Sequence, residues 1–594
     1  MRKLIYSLAI IGALAFVMQS CTLPQMIKMA KDQKLTVTPN PLEVHKDTVA
    51  FDMSANLPVK MLKKGTVYSI NPFYKYGDGK ELALDPIQFK AEDFPTASTA
   101  EPKATKSFKF PYKAELKTGI VQVSGTASKA TKSKATTVRM DVAIGIITTS
   151  KLVQNSYYAA FAAHGYDNSE EIIPVVIPNF LFEQGKSVLR KTEITGETGK
   201  QLDAFIASKN ITKTVTIIGN HSPEGRERIN SKLSEERAAA IEKFYREQMK
   251  TYDYQGMADQ ISFIQKPVID DWNGLKSALA SYDGIAADEK AKYLDIINTG
   301  GAFEDVEKKL QKLSSYRKVL KDVYPGLRTA KTEILTVKKK KTDAEMSVLA
   351  KQITQGQAGL DALTFEEMMY AATLTPSMEE KAAIYEAATK KGTNWNAHNN
   401  LGAALLSLAM DNSANAKDLV SKASAQLDIA SKLKSTSEVN ANLATVALWQ
   451  GNPYKASKLA TQALSGANND ITSGVNGVKG ASEIYQAKYA DAVRSTSSAK
   501  ASYINLFNKG LAQLLNKDYS NASSSFNESA NANSNFALAS YGAAVAAARQ
   551  GNADGVVSNL SKAVKLDPSL KDAAITDLEF AKWSATDAFR NALK

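Results

Sequence analysis

At 594 residues, with 44% hydrophobic and 23% charged residues, the chain is too long for one core and has an ordinary globular composition, which excludes a disordered or fibrous protein. The formal charge of +13 fits a solvated lysine-rich surface or an anionic neighbour. The single cysteine, Cys21, excludes an intramolecular disulfide and any zinc site built from two cysteines. The scattered histidines His45, His164, His221 and His398 contain no i, i+4 pair and argue against a metal cluster.

The N-terminus opens with Arg2 and Lys3, followed by an apolar stretch from Leu4 to Val17 and the sequence Val17-Met18-Gln19-Ser20-Cys21. The apolar stretch has signal-peptide length and is too short for a comfortable membrane span. The segment ending at Cys21 resembles the bacterial lipobox, in which a small residue precedes a cysteine that is acylated and becomes residue one. Ser20 fits that pattern, while Met18 and Gln19 depart from its strict form. Residues 1–20 are then a signal peptide and 21–34 a lipid-anchored linker. Two or three acyl chains on Cys21, at ~0.8 kcal/mol per buried CH₂, hold a protein to a membrane. The segment Thr22-Leu23-Pro24-Gln25-Met26 carries no acidic residue. By resemblance to lipoproteins of the Bacteroidetes this implies the periplasmic face of the outer membrane.

Residues 35–150 show period-2 alternation and predict a β-sandwich-like domain. Val49, Phe51 and Met53 mark one strand, and Phe108, Phe110 and Tyr112 another. Val138, Met140, Val142, Ile144 and Ile146 mark a longer one, and Tyr76-Gly77-Asp78-Gly79 reads as a turn. The Ala/Thr/Ser/Lys stretches 96–107 and 125–137 read as loops or hairpin tips. Eight lysines between Lys103 and Lys134 form either a basic patch or edge-strand lysines that block sheet-to-sheet association.

Residues 175–340 predict an α+β domain. Asn179–Phe182 and Thr214–Gly219 read as strands, and Thr198–Ser208 as an amphipathic helix bearing Leu202, Phe205 and Ile206. A loop, Gly219-Asn220-His221-Ser222-Pro223-Glu224-Gly225, leads into a long helix with Asn230, Leu233-Ser234 and Arg237-Ala238. This pattern resembles the OmpA C-terminal family in a Ser-Pro-Glu-Gly variant. Asp271-Trp272-Asn273-Gly274-Leu275 resembles the same variant, and Leu327 to Ile334 takes the place of the closing strand. A helical insertion then occupies about 275–325. The resemblance spans about 160 residues and implies binding of the diaminopimelate stem of peptidoglycan. Arg237 stands at the family's arginine, where a guanidinium can fork onto a carboxylate. The family's aspartate position falls at Ser222 or Pro223, neither acidic. Ser222, Glu224, Asn230 and Arg237 are the candidate binding residues.

Lys338 to Lys341 read as a solvated exit into an all-α region, 343–594, that is rich in alanine. Leu401-Gly402 with Leu405 fit places 7, 8 and 11 of a motif of about 34 residues. Leu443-Ala444, Gly451, Ala456 and Ala463 repeat it, as do Gly510, Tyr519, Ala522 and Phe526, and then Ala544, Gly551, Ala563 and Pro568. This resembles TPR repeats, which imply a stacked solenoid that docks protein partners. Residues 466–480, rich in Gly, Asn and Ser, read as a long loop.

No nucleophile elbow, Walker loop, dinucleotide fingerprint or metalloprotease motif is present. Adjacent carboxylates such as Glu170-Glu171, Asp270-Asp271 and Glu366-Glu367 diverge on helices and strands. The sequence therefore predicts a multidomain, non-enzymatic outer-membrane lipoprotein with no cofactor, no metal and no nucleic-acid partner. Its partners would be outer-membrane lipid through Cys21, proteins on the repeats, and peptidoglycan. It would serve as a scaffold of a secretion, motility or surface-assembly complex. A tether between outer membrane and cell wall, and a periplasmic chaperone, are the alternatives.

Overall fold

The computed structural model describes residues 22–129, 133–254, 256–268, 271–411 and 414–594; Cys21 and Lys132 lie outside them. The chain forms two compact units. One joins the residues up to Gly165 with Met346–Lys594, and the other is Tyr166–Glu345.

In the first unit, period-2 burial builds two sheets over one core. Strand Thr48–Asn56 sits within a five-stranded sheet, paired with Lys34–Thr38, Leu42–His45 and Lys103–Pro111. The six-stranded sheet is built around Thr66–Tyr76 and Ile120–Lys129. Val49, Phe51 and Met53 of the first sheet and Tyr68, Ile70, Val121 and Val123 of the second belong to the same buried cluster. Lys103 and Lys109 lie on the exposed side of strand Lys103–Pro111, which pairs with Thr48–Asn56 at the sheet edge, while half-buried Lys106 shares the face of Phe108 and Phe110. All three are edge-strand lysines, which disfavour pairing with another chain.

Two expectations change here. The apolar series from Val138 to Ile146 is not one strand. Met140–Ile144 pairs at the edge of one sheet and Ile146–Ile147 joins the other, because Gly145 at φ +44 redirects the chain. Val138 is left 86% exposed. The stretches 96–107 and 125–137 also hold strand structure, in Lys103–Pro111, Ile120–Lys129 and Ser133–Thr136. Residues 96–102 do carry neither helix nor strand, and Ile120–Lys129 pairs with Ser133–Thr136 as a hairpin whose end, residues 130–132, lies outside the described residues.

The rest of the first unit is all-α. Its helices pair antiparallel: Trp395–Asp411 with Ala416–Leu433, Ser437–Trp449 with Pro453–Leu464, Asn469–Tyr485 with Tyr489–Ser497, Tyr503–Leu515 with Tyr519–Ala532, and Ala537–Arg549 with Ala553–Leu566. First helices begin at Asn469, Tyr503 and Ala537, a step of 34 residues each time. This is a TPR-like array. Gly451 and Gly551, both at φ +74, turn the chain between partners, and Asn452, Asp518 and Asn552 cap the second helices with side-chain oxygens. Stacked alanines (Ala444, Ala456, Ala460, Ala512, Ala522, Ala544 and Ala563) are fully buried and let the axes approach closely.

Residues 466–480 are not a long loop. Helix Asn469–Tyr485 runs through Gly474, Gly477 and Gly480. Each glycine costs about 1 kcal/mol in helix propensity, but each faces a neighbour that a Cβ would strike. Packing on both sides overrides the propensity.

The second unit carries a four-stranded sheet in the order Ile172–Leu181, Thr329–Val337, Thr212–Gly219, Ser262–Pro267. The last two are parallel and are joined through helix Glu227–Thr251. Phe180, Leu202, Ile206, Val215, Ile217, Ile241, Tyr245 and Ile334 form its core. Helices between Trp272 and Asp322 bury a separate cluster around Leu275, Leu279, Tyr293, Leu310 and Tyr324. Lys338 pairs with Glu171 at 3.0 Å, and Lys340 donates to the carbonyls of Asp167 and Ser169. The lysine run is thus tied to strand-flanking backbone as well as solvated. No helix among the described residues is long and apolar enough to cross a membrane.

Candidate functional site

The first helices of successive pairs line a groove, and the chain's own extended segment after the β-rich region lies in it. Residues 153–162 carry no helix or strand of their own. Their backbone is instead read by side chains at a period of two. Asn508 accepts from the Gln154 N–H at 3.0 Å and donates to its carbonyl at 2.8 Å. Asn442 does the same for Ala160, at 2.7 and 2.8 Å, and Asn400 for Ala162, at 2.6 and 3.0 Å. Between them, Thr445 donates to the Tyr158 carbonyl at 2.8 Å, and Ser156 donates to Asn505 at 2.6 Å. Asn399 adds a bond to the Ala160 carbonyl. An amide side chain has one acceptor and two donors, so it can close both halves of a peptide unit's polar pair in place of a neighbouring strand.

The side chains of this strap fit notches in the repeats. Ser156 is 1% exposed and Ala160 2%. A Cβ on Gly474 would lie 2.1 Å from the Tyr158 ring, and one on Gly477 would lie 2.6 Å from Ser156 Oγ. Tyr158 donates its hydroxyl to Asp470 at 2.7 Å; burial and this carboxylate push its phenol up. Phe161 points the other way and is 40% exposed.

The strap begins at a polar junction between the β-rich region and the repeats. Glu579 accepts from Thr149 at 2.6 Å and from Arg549, and Arg549 also reaches Glu43 at 2.8 Å. His45 bonds both Glu43 and Tyr489. The His45 hydrogen bond, with Arg549 beside it, holds the Glu43 carboxyl at about 2. Burial pushes the Glu579 carboxyl up against the pull of Arg549.

None of the clamp asparagines was singled out from the sequence, although a signal exists. Asn400 and Asn442 each precede by one the leucine at the repeat's seventh place, and Asn508 stands two before Gly510 at its eighth. The same register recurs at Gly474 and Gly542, 34 residues before and after Asn508. A polar residue recurring inside an apolar helix stripe marks a buried partner.

The residues chosen from the sequence lie in the second unit, and the structure brings them together. Arg237 is 1% exposed. It donates to the carbonyls of Lys186, Asn220 and Glu183 at 3.1, 2.7 and 3.2 Å. Burial, then the charge of Arg328, pull its guanidinium down to about 10. Ser222, 3% exposed, accepts from Arg328, which also pairs with Glu224 at 2.8 Å. Asn230 donates to the Glu224 carbonyl at 2.9 Å. These four residues hold one loop to its helix and strand. Three of the five Arg237 N–H donors are thus committed to main-chain carbonyls, in a side chain that is buried.

No protein-family model and no curated protein matches the chain. Among solved structures it is similar to one of the APC/C hetero-tetramer Cut9-Hcn1, at 10% identity over 58% of this chain and 64% of that one, TM-score 0.30. It is similar to YrrB, described as a TPR protein with an unusual peptide-binding site, at 16% identity over 40% and 98%, TM-score 0.21. It is similar to yeast Tom70 at 12% identity over 59% and 82%, TM-score 0.25. The chain spans just under two thirds of the first of these. The repeat assignment itself stands on the helix pairs and their 34-residue step.

Proposed function

We propose that the chain is a non-enzymatic scaffold of a bacterial cell envelope, held by an acylated Cys21 to the periplasmic face of the outer membrane, that docks protein partners on its helical repeats. The observation that carries the docking part is the repeat array, whose first helices already bind an extended polypeptide through its backbone. The lipobox-like Val17 to Cys21 supports the anchor, and the Gly219–Ala238 pattern supports an OmpA-like middle domain of a Bacteroidetes lipoprotein. A secretion, motility or surface-assembly complex is the class of machine such a scaffold serves.

The scaffold reading is favoured over a wall tether because Arg237, Ser222 and Asn230 are buried and spent on internal bonds. Two measurements on the native protein test it. Metabolic labelling with an alkyne fatty acid should mark the mature chain and lose the mark in Cys21→Ala. Pull-down on purified peptidoglycan should recover no more of it than of an unrelated lipoprotein. Retention on the wall that Arg237→Ala abolishes, in a protein still folded, would replace the scaffold with the tether. Suppressed aggregation of outer-membrane clients would point to the chaperone.

A further inference from the structure

The groove that the repeats would offer an outside segment is occupied along residues 153–162 by the chain itself. Three features show a fitted occupant rather than an incidental contact. The clamps at Gln154, Ala160 and Ala162 each use both polar atoms of one residue. The helix beneath Tyr158 carries glycine at the register where the neighbouring repeats carry asparagine, and that opening is the one the Tyr158 ring fills. The segment is anchored at its start, where Thr149 bonds Glu579 and Ser150 donates to the Val44 carbonyl at 2.6 Å.

We propose that residues 153–162 are a built-in ligand that keeps the groove closed. The outside ligand it excludes is an extended peptide with small side chains at the places of Ser156, Ala160 and Ala162 around one tyrosine at the place of Tyr158. The clamps read main chain, so they accept any sequence that lies extended. The notches set the pattern: Ala160 and Ala162, 2% and 7% exposed, leave no room for a large or charged side chain. A covalently joined strap competes at an effective concentration of about 1 mM or more. A free peptide with a Kd of about 10 μM for the open groove is then weakened on the order of 100-fold. This lock deepens the docking reading and rests on it for the existence of an outside partner. The assay below scores the groove alone, so a failure to find partners in cells leaves its result standing.

The test uses the full-length mature chain and a fluorescein-labelled peptide of residues 152–164, followed by fluorescence anisotropy. The unmodified protein should not bind the peptide. A strap variant carrying Ala160→Glu and Ala162→Glu, with the repeats untouched, should bind it, and adding Asn442→Ala and Asn400→Ala should abolish that binding. The lock is overturned if the unmodified protein binds as tightly as the strap variant, or if a strap variant with the full helical circular-dichroism signal binds nothing. Should the double-glutamate variant fail to fold, hydrogen exchange on the unmodified protein decides. The Gln154, Ala160 and Ala162 amides should exchange at least 100-fold more slowly than free peptide, and Asn442→Ala should release Ala160 first. Exchange of all three at the free-peptide rate sinks the proposal.

Discussion

Asn442 is fully buried in a helix whose neighbours are Ala441, Leu443 and Ala444. Its amide is tolerated there because Ala160 and Asn399 satisfy it. Truncation in Asn442→Ala strands the Ala160 N–H away from water, and a buried unsatisfied group costs about 1–3 kcal/mol. Urea unfolding followed by circular dichroism should show a loss of that size. Arg237 is expected to matter more. Arg237→Ala removes the donors of three carbonyls and leaves a cavity, so the second unit should lose roughly 3 kcal/mol or more. Arg237→Lys should not restore it, since one ammonium cannot reproduce the guanidinium fork. An arginine held only for a wall ligand would leave the melting curve unmoved. Glu43 sets a pH dependence. Its carboxyl is lowered from 4.5 to about 2, so its contribution is complete above pH 4.5 and is lost as the pH falls through about 2, amounting to at most ~3 kcal/mol. Thermal melts from pH 6 to pH 2 should show the first unit weakening over that window, and Glu43→Gln should flatten the slope. At this scale the sequence made Arg237, Ser222, Glu224 and Asn230 visible as one group through a family pattern. The clamp asparagines went unseen because an isolated Asn in a helix looks like any polar residue until its partner segment is known.

Periodicity made most elements legible. The alternation through Val49, Phe51 and Met53 and the 3.6-residue spacing of Leu202 and Ile206 each report a buried face, and both faces are buried. Misreadings came where tertiary contact outweighs local preference. Helix Asn469–Tyr485 carries three glycines and two asparagines, a composition that favours a loop in isolation. The strap and Thr496 need those glycines, and buried Ile471, Val475, Val478 and Ile484 hold the helix. Gly145 ends an alternation that composition alone would continue. A paired substitution tests the notch. Gly474→Ala places a methyl 2.1 Å from the Tyr158 ring, so despite better helix propensity it should lower stability by about 1–3 kcal/mol. Combining it with Tyr158→Ala should cost less than the sum of the two single changes. Strict additivity would mean that the ring and the glycine are not coupled.

At the scale of the whole molecule, the order of regions along the chain was readable, but their grouping was not. The β-rich region and the repeats form one unit, with Tyr166–Glu345 inserted between them in sequence. The bonds that join them link residues hundreds of positions apart, as His45 to Tyr489 and Glu43 to Arg549. No local pattern encodes such pairs. A strap that starts in the sheets and lies along the repeats makes the first unit cooperative, so the β-rich region and the repeats should melt together in calorimetry. The docking of protein partners on the repeats is tested most directly by photo-crosslinking in intact cells, with the crosslinker placed at exposed positions of the repeat helices such as Ile429, Leu433 and Tyr454, followed by mass spectrometry. Discrete protein adducts that recur between cultures are the expected result. A chain that yields only self-adducts or wall fragments from all three positions would contradict a docking scaffold.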